Sequence, residues 1–242
     1  LTQDTCIRIE GVNKYFDKKS VLNDIRLSIS RSEVFGLLGP SGSGKTTLIK
    51  LIVGIERAAS GDLYVLNEKM PNLSMMHKIG YMAQSDALYS ELTAVQNLDF
   101  FASIFGLKGA IKKQRIAEVT ELVNLSHDLN KLVINYSGGM KRRLSLAIAM
   151  LHKPEILILD EPTVGIDPVL RQSIWGELRR LSKNGTTVLV TTHVMDEAEK
   201  CDHLGMIRDG RLIAIGSPEE LKQESSSESL EQAFLKFGGV TA

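Results

Sequence analysis

The residues best equipped for chemistry lie in a few short segments. "GPSGSGKTT", Gly39 to Thr47, spaces Gly39, four residues, Gly44, Lys45 and Thr46 in the phosphate-loop order G-x-x-x-x-G-K-[ST]. Its glycines and serines (Gly42, Ser41 and Ser43, beside Pro40) favour neither helix nor strand. The loop's backbone N–H groups and the positive end of a helix opening at Lys45 can together surround a phosphate chain. Lys45 is then expected at the β- and γ-phosphates, and the Thr46 hydroxyl at a Mg²⁺ position, with Thr47 closing the loop. "ILILDEP", Ile156 to Pro162, ends an apolar run on two carboxylates. Asp160 is expected to hold the Mg²⁺ beside Thr46, and Glu161 to orient or deprotonate an attacking water. "TVLVTTH" ends likewise on His193, which suits a hydrogen bond to a γ-phosphate. A lone strand-end histidine is more often structural, and Gln84, a third strand-end polar group, is a weak signal by itself. Together these residues describe a nucleoside triphosphate site.

The elements that must position them are legible in the apolar periodicity. "VFGLL" reads as a buried strand before the loop, and "KTTLIKLIVG" as a helix with Leu48, Ile49, Leu51 and Ile52 inward. The runs "CIRIE", "IRLSIS", "DLYVL", "IGYMA", "ILILD", "TTVLVTT", "HLGMI" and "RLIAI" read as further strands. Helical patterns between several of them give an α/β domain with a partly parallel sheet. The first two and last two runs are close in sequence and are expected to pair antiparallel. From about Thr93 to Met150 the spacing turns helical with no strand between, as in an inserted helical subdomain. The tail opens with a polar linker, "KQESSSES", and then places Leu230, Ala233, Phe234 and Phe237 on one helical face.

At 242 residues the chain has ample length for a sizeable core. Lys plus Arg and Asp plus Glu both number 29, so charge gives no case for nucleic acid. The cluster Lys141, Arg142, Arg143 is read as a solvated helix face. Two cysteines, Cys6 and Cys201, lie far apart without metal or redox spacing, which points to a reducing compartment. No apolar stretch approaches the ~20 residues of a bilayer span. The opening "LTQDTCIRIE" has no signal-peptide pattern and no initiator Met, and the expectation is a cytosolic protein.

"YSGGMKRRLSLAIAML", Tyr136 to Leu151, supplies a second anion-binding helix start. Ser137 suits an N-cap, and Gly138 and Gly139 allow close approach of a ligand. With this segment the chain resembles the nucleotide-binding subunits of ATP-binding-cassette (ABC) transporters along nearly its whole length. "GPSGSGKTT" is similar to the family's Walker A loop, "ILILDEP" to its Walker B strand and "YSGGM" to its signature. Gln84 falls at the Q-loop, Asp167 in "VGIDP" at the D-loop, His193 at the switch histidine and Tyr15 in "VNKYF" at the A-loop aromatic, with Phe16 as the neighbouring choice. Tyr136 replaces the signature's usual Leu and Met140 its Gln, while the Ser-Gly-Gly positions are intact.

The resemblance implies a phosphate-loop core with a mixed sheet, an antiparallel β part and a helical subdomain at about 85–150. It also implies an ATPase domain over 1–216 and a tail with a short helix over 217–242. By the same resemblance, ATP and Mg²⁺ are bound, with Gln84 near the metal and Tyr15 stacked on adenine. Two cassettes, read as a homodimer with equivalent sites, sandwich each ATP between one phosphate loop and the partner's Ser137, Gly138 and Gly139, and Asp167 communicates across the interface. A separate membrane-spanning subunit is implied at the cytoplasmic face, received by a groove for which "DALYSELT" offers Leu88, Tyr89 and Leu92. "EPTVGIDP" and "SLEQAFL" are more similar to the exporter branch for drugs, lipids or polysaccharides than to importers. An importer subunit, a soluble ABC protein of ribosomes or nucleic acid, and a phosphate-loop kinase or GTPase are the alternatives. A single set of motifs and no long heptad run weigh against the second, and the serine-glycine signature weighs against the third.

Overall fold

A computed structural model describes residues 5–85 and 87–239. Four strands make an antiparallel sheet: β1 (Thr5–Phe16), β2 (Lys19–Ser30), β4 (Ser60–Val65) and β5 (Glu68–Lys69), in the order β2-β1-β4-β5. Six more make a second sheet: β3 (Val34–Leu38), β6 (Ile79–Met82), β7 (Ile156–Asp160), β8 (Thr187–Thr192), β9 (His203–Arg208) and β10 (Arg211–Gly216), in the order β10-β9-β3-β8-β7-β6. Its ladders are parallel except between β9 and β10. Both pairs expected to be antiparallel, β1 with β2 and β9 with β10, are so. The helices are α1 (Lys45–Ile52), α2 (Ala94–Ile104), α3 (Gly109–Leu122), α4 (Gly138–Met150), α5 (Pro168–Lys183), α6 (Met195–Ala198), α7 (Pro218–Glu224) and α8 (Leu230–Phe237).

Strand alternation divides the core into two layers. Phe35, Leu37, Ile156, Ile158 and Leu189 face one side of the parallel sheet, where they meet α1 and the inner face of the antiparallel sheet. Val34, Leu38, Leu157, Leu159, Val188 and Val190 face the other side, toward the apolar stripes of α4 and α5. A strand buried on both faces must be apolar throughout, which is why β3 and β7 read as continuous runs. Each fully buried Leu, Ile or Val contributes about 1.5–3 kcal/mol by leaving water. The sheet that carries the site is therefore held rigidly from both sides. As expected, Leu48, Ile49, Leu51 and Ile52 are all buried in α1.

The segment between β6 and β7 is helical, with an isolated bridge between Thr93 and Leu132 at its base. Thr93 caps α2 in a reciprocal capping box with Gln96. Helix α4 packs on α2 and α3 but also on β6 and β7, so it belongs to the insertion and the core at once. The tail departs from its reading at the start. Ser217 and Glu220 form a capping box that opens α7, and Leu221 is fully buried, so Lys222 to Glu224 are helical and the polar link shortens to 225–229. Beyond it, Leu230 and Ala233 of α8 are buried and Phe234 and Phe237 pack partly buried against the same core. Among the described residues no helix is long and apolar enough to cross a membrane.

Candidate functional site

The parallel register brings four strand ends to one level. Leu38 pairs with Thr192, Asp160 with Thr191 and Met82 with Leu159. Each strand then hands out its polar group at the carboxyl edge of the sheet, the edge where ligands bind in open α/β folds. The phosphate loop follows β3, Gln84 follows β6, Glu161 follows β7 and His193 follows β8. Sequence separations of more than a hundred residues close here because the strands share one register.

The loop closes on α1 through two glycine positions. Gly44 is the N-cap of α1 with φ 107°, and no side chain caps the helix. A Cβ at Gly39 would lie 2.2 Å from the Ile207 carbonyl oxygen, so only glycine permits that approach. Lys45 is buried, and its Nζ donates to the carbonyls of Gly39 (2.6 Å) and Pro40 (2.9 Å). Burial lowers its pKa from the ordinary lysine value, opposed by the carboxylates of Glu161 and Asp160. A cleft of about 330 Å³ opens over this turn. Ser41, Gly42, Gly44, Lys45, Thr46 and Thr47 line it, as do Gln84 and Glu161 on the opposite wall.

The carboxylates of β7 take different positions. Asp160 is fully buried and accepts from the Thr191 hydroxyl through Oδ1, while its Oδ2 has no hydrogen-bond partner. Glu161 adopts a left-handed backbone, φ 52°, held by its N–H donating to the Thr191 carbonyl (3.2 Å) and hydroxyl (3.0 Å). Such a conformation costs a non-glycine residue about 1–3 kcal/mol and turns the side chain out of strand register. Glu161 Oε1 lies 3.1 Å from Nδ1 of the exposed His193. Ser43 Oγ is a second buried polar atom without a partner. An orphaned carboxylate oxygen beside a threonine hydroxyl and a phosphate-binding turn suits Mg²⁺. That ion is ordinarily held by one or two protein groups plus phosphate and water, not by a full protein cage. No group of three or more acidic, histidine or cysteine side chains among the described residues forms a metal cluster.

Other expected residues lie away from the cleft. Ser137 caps α4, its hydroxyl accepting from Met140 N–H at 3.3 Å, and Ser137 and Gly138 are exposed. Asp167 caps α5 by accepting from Leu170 N–H at 3.0 Å and is exposed too. Tyr15 does not line the cleft; its neighbour Phe16 does, because successive strand residues point to opposite faces. Of the three residues read for partner docking, Tyr89 is 46% exposed and packs edge-on to Phe100, whereas Leu88 and Leu92 are partly buried. Asp86, which opens that segment, lies outside the described residues. A separate, larger apolar groove of about 860 Å³ has Ile55, Leu73, Met76 and Phe105 in its wall, and none of Leu88, Tyr89 and Leu92 lines it.

Three charged residues escaped the sequence reading. Arg142, read as solvated, is buried at 7% exposure. Its Nη1 donates to the carbonyls of Ala83 (2.8 Å) and Gln84 (2.9 Å), and its Nη2 to those of Asp160 and Glu161. Arg143 is also partly buried and donates to the Val123 and Asn124 carbonyls. Glu197 is a buried carboxylate that accepts from the Thr163 and Thr192 hydroxyls. Helical spacing carried a signal for Arg142, which shares a stripe with Leu146 and Ala149; Glu197 sits in the four-residue α6, too short to show one.

Comparison with known proteins agrees with this geometry. The family described as ABC transporter matches residues 22–164. The chain is 38% identical over 241 residues to the probable multidrug ABC transporter ATP-binding protein YbhF of Escherichia coli (strain K12), covering 97% of this chain and 42% of that protein. It therefore spans less than half the length of that relative. It is 40% identical to the linearmycin resistance ATP-binding protein LnrL of Bacillus subtilis (strain 168), covering 97% of this chain and 76% of that one. Among solved structures, an ATP-binding subunit of an ABC transporter superposes with a TM-score of 0.89 at 25% identity, covering 97% of this chain and all of that one. The dimeric cassette MJ0796 bound to ADP and Pi superposes with a TM-score of 0.80 at 27% identity, covering 87% of this chain and 98% of that one. This chain belongs to the ABC transporter family and has the fold of its ATP-binding cassettes, an α/β phosphate-loop fold with a mixed sheet and an inserted helical subdomain.

Proposed function

We propose that the chain binds Mg²⁺-ATP in the cleft over Gly39–Thr47, dimerises around it with a second copy of itself, and hydrolyses it to drive export through a separate membrane-spanning subunit. Residues 1–216 are read as the ATPase unit and 217–242 as its tail. The observation that carries the reading is an asymmetry. Lys45, Gln84 and Glu161 converge on one cleft, while the second phosphate-type helix start, Ser137 to Gly139, opens at the surface with Ser137 and Gly138 exposed and lines no part of it. A shared site built from two chains accounts for both.

The chain's own groups divide the work. Lys45 exchanges the Gly39 and Pro40 carbonyls for phosphate oxygens, gaining charge-assisted hydrogen bonds about twice as strong as neutral ones. Thr46 and Asp160 would hold Mg²⁺ with Gln84 as a further candidate ligand, and when bound it would supply charge neutralisation at the phosphates. Glu161, with His193 against its carboxylate, takes the proton of the attacking water. Phe16 stacks on the base. Ser137, Gly138 and Gly139 close over the γ-phosphate held by the partner, and Asp167 meets the partner across the interface. The names of the relatives, a probable multidrug ABC transporter ATP-binding protein and a linearmycin resistance ATP-binding protein, support an export role. The exposed apolar groove beside Ile55, Leu73 and Met76 supports docking of a membrane subunit, and with it a peripheral position at the cytoplasmic face.

Light scattering of purified Glu161→Gln, with and without Mg²⁺-ATP, tests this directly. A monomer that becomes a dimer only with ATP is the expected result. A chain that binds ATP yet stays monomeric, both alone and with its membrane partner, overturns the shared-site reading.

A further inference from the structure

The guanidinium of Arg142 ties together two backbone segments that the sheet leaves unjoined. Strands β6 and β7 pair as far as Met82 and Leu159. Beyond that point their chains part, one into the loop of Gln84 and the other into the turn of Glu161. Arg142 spans the gap, with Nη1 on the carbonyls of Ala83 and Gln84 and Nη2 on those of Asp160 and Glu161. A planar guanidinium presents its donors as a fixed fork, so four carbonyls held by one such group cannot move independently. The same side chain stands on α4, five residues after the Ser137 cap. The cleft wall formed by Gln84 and Glu161 is thereby fastened to the helix whose first turn faces outward.

We propose that Arg142 is a positioning residue that couples the two ATP sites of the dimer. This rests on the shared-site reading. When the first turn of α4 closes on ATP held by the partner, the displacement of the helix passes through the Arg142 fork to the chain's own Gln84 and Glu161. Each site then attains its hydrolytic geometry only when the other is occupied. An error of about 1 Å in the placement of a reacting group can cost about 10²-fold in rate, so a modest shift of these two backbones is enough to gate the reaction. The strand-end ladder cannot do this, because it ends before the residues that touch the nucleotide.

The test is steady-state ATP hydrolysis by the purified full-length chain carrying Arg142→Met or Arg142→Lys, with light scattering of each substitution in the Glu161→Gln background. Arg142→Met is expected to lose roughly 10-fold or more in kcat with KM within about two-fold of the parent. The Hill coefficient for ATP falls from about two toward one, since two coupled sites become independent. The Glu161→Gln chain carrying either substitution still dimerises with Mg²⁺-ATP. Arg142→Lys keeps the charge without the fork and falls with Arg142→Met; it also serves if the methionine variant does not fold. Parental kcat and Hill coefficient in both variants overturn the proposal. So does loss of ATP-driven dimerisation together with kcat, because Arg142 then merely props α4. If Glu161→Gln with Arg142 intact fails to dimerise, the shared-site reading falls instead.

Discussion

Two helices of this protein begin in glycine-rich turns suited to anions, and they are finished to different degrees. Helix α1 starts in a buried turn, uncapped by any side chain, with Lys45 inside the same cavity and an orphaned Ser43 hydroxyl beside it. Helix α4 starts in the open, its first N–H groups partly satisfied by the Ser137 hydroxyl at 3.3 Å. The bare, buried helix end is ready for a phosphate within its own chain. The exposed one is provisionally capped by a weak bond that a better acceptor can replace. On the shared-site proposal, chemistry and its control are separated along the chain, and the difference between the two turns marks the half that would need a partner.

The largest effect should fall on the finished half. Glu161→Gln removes a proton acceptor while preserving shape, so hydrolysis should drop ~10²-fold or more with ATP binding retained. Wild-type turnover in this variant rules Glu161 out as the base. Ser137→Arg should break the other half. The isolated monomer binds ATP like the parent, measured by fluorescence titration, but ATP-driven dimerisation and the hydrolysis that depends on it are lost. Weakened binding in the monomer places Ser137 in its own chain's site and erases the contrast between the helices.

How much of this was readable follows from how local each signal is. The loop and the two carboxylates were legible because each follows or ends a continuously apolar strand; His193 follows β8, whose apolar centre of Val188, Leu189 and Val190 is flanked by buried threonines, so its signal was weaker. The aromatic of the cleft was not legible. Strand β1 is 12 residues long and its ladder with β2 shifts register on either side of Lys14, so counting parity from the core cannot decide between Tyr15 and Phe16. Arg142 was misread because a charge among charges suggests solvent, although its stripe with Leu146 points inward. The α7 helix was hidden by the serines after it, even though Ser217-Pro218-Glu219-Glu220 is a legible helix start.

That ambiguity at the Phe16 wall of the cleft gives the next effect in size. Phe16→Ala should weaken ATP binding about tenfold, the scale of one lost stacking contact. Tyr15→Ala should change it by less than about two-fold, because the side chain lies off the cleft wall. Isothermal titration with ATP on both variants decides which side of β1 faces the nucleotide, and the reverse ranking returns the role to Tyr15.

The smallest effect separates a cap from a contact. Asp167 accepts from Leu170 N–H at the start of α5, with Pro168 in the first turn, an arrangement that needs no partner to explain it. Replacing such a cap by alanine costs about 1 kcal/mol, whereas asparagine caps nearly as well as aspartate. Asp167→Ala should therefore lower unfolding stability in urea by about that amount, and Asp167→Asn should not. If Asp167 also meets the partner, the asparagine variant, equal in stability, loses a few-fold in ATP-driven hydrolysis because its charge is gone. Parental hydrolysis in Asp167→Asn confines the residue to capping its own helix. The partner-dependent half of the molecule then narrows to the Ser137 turn alone.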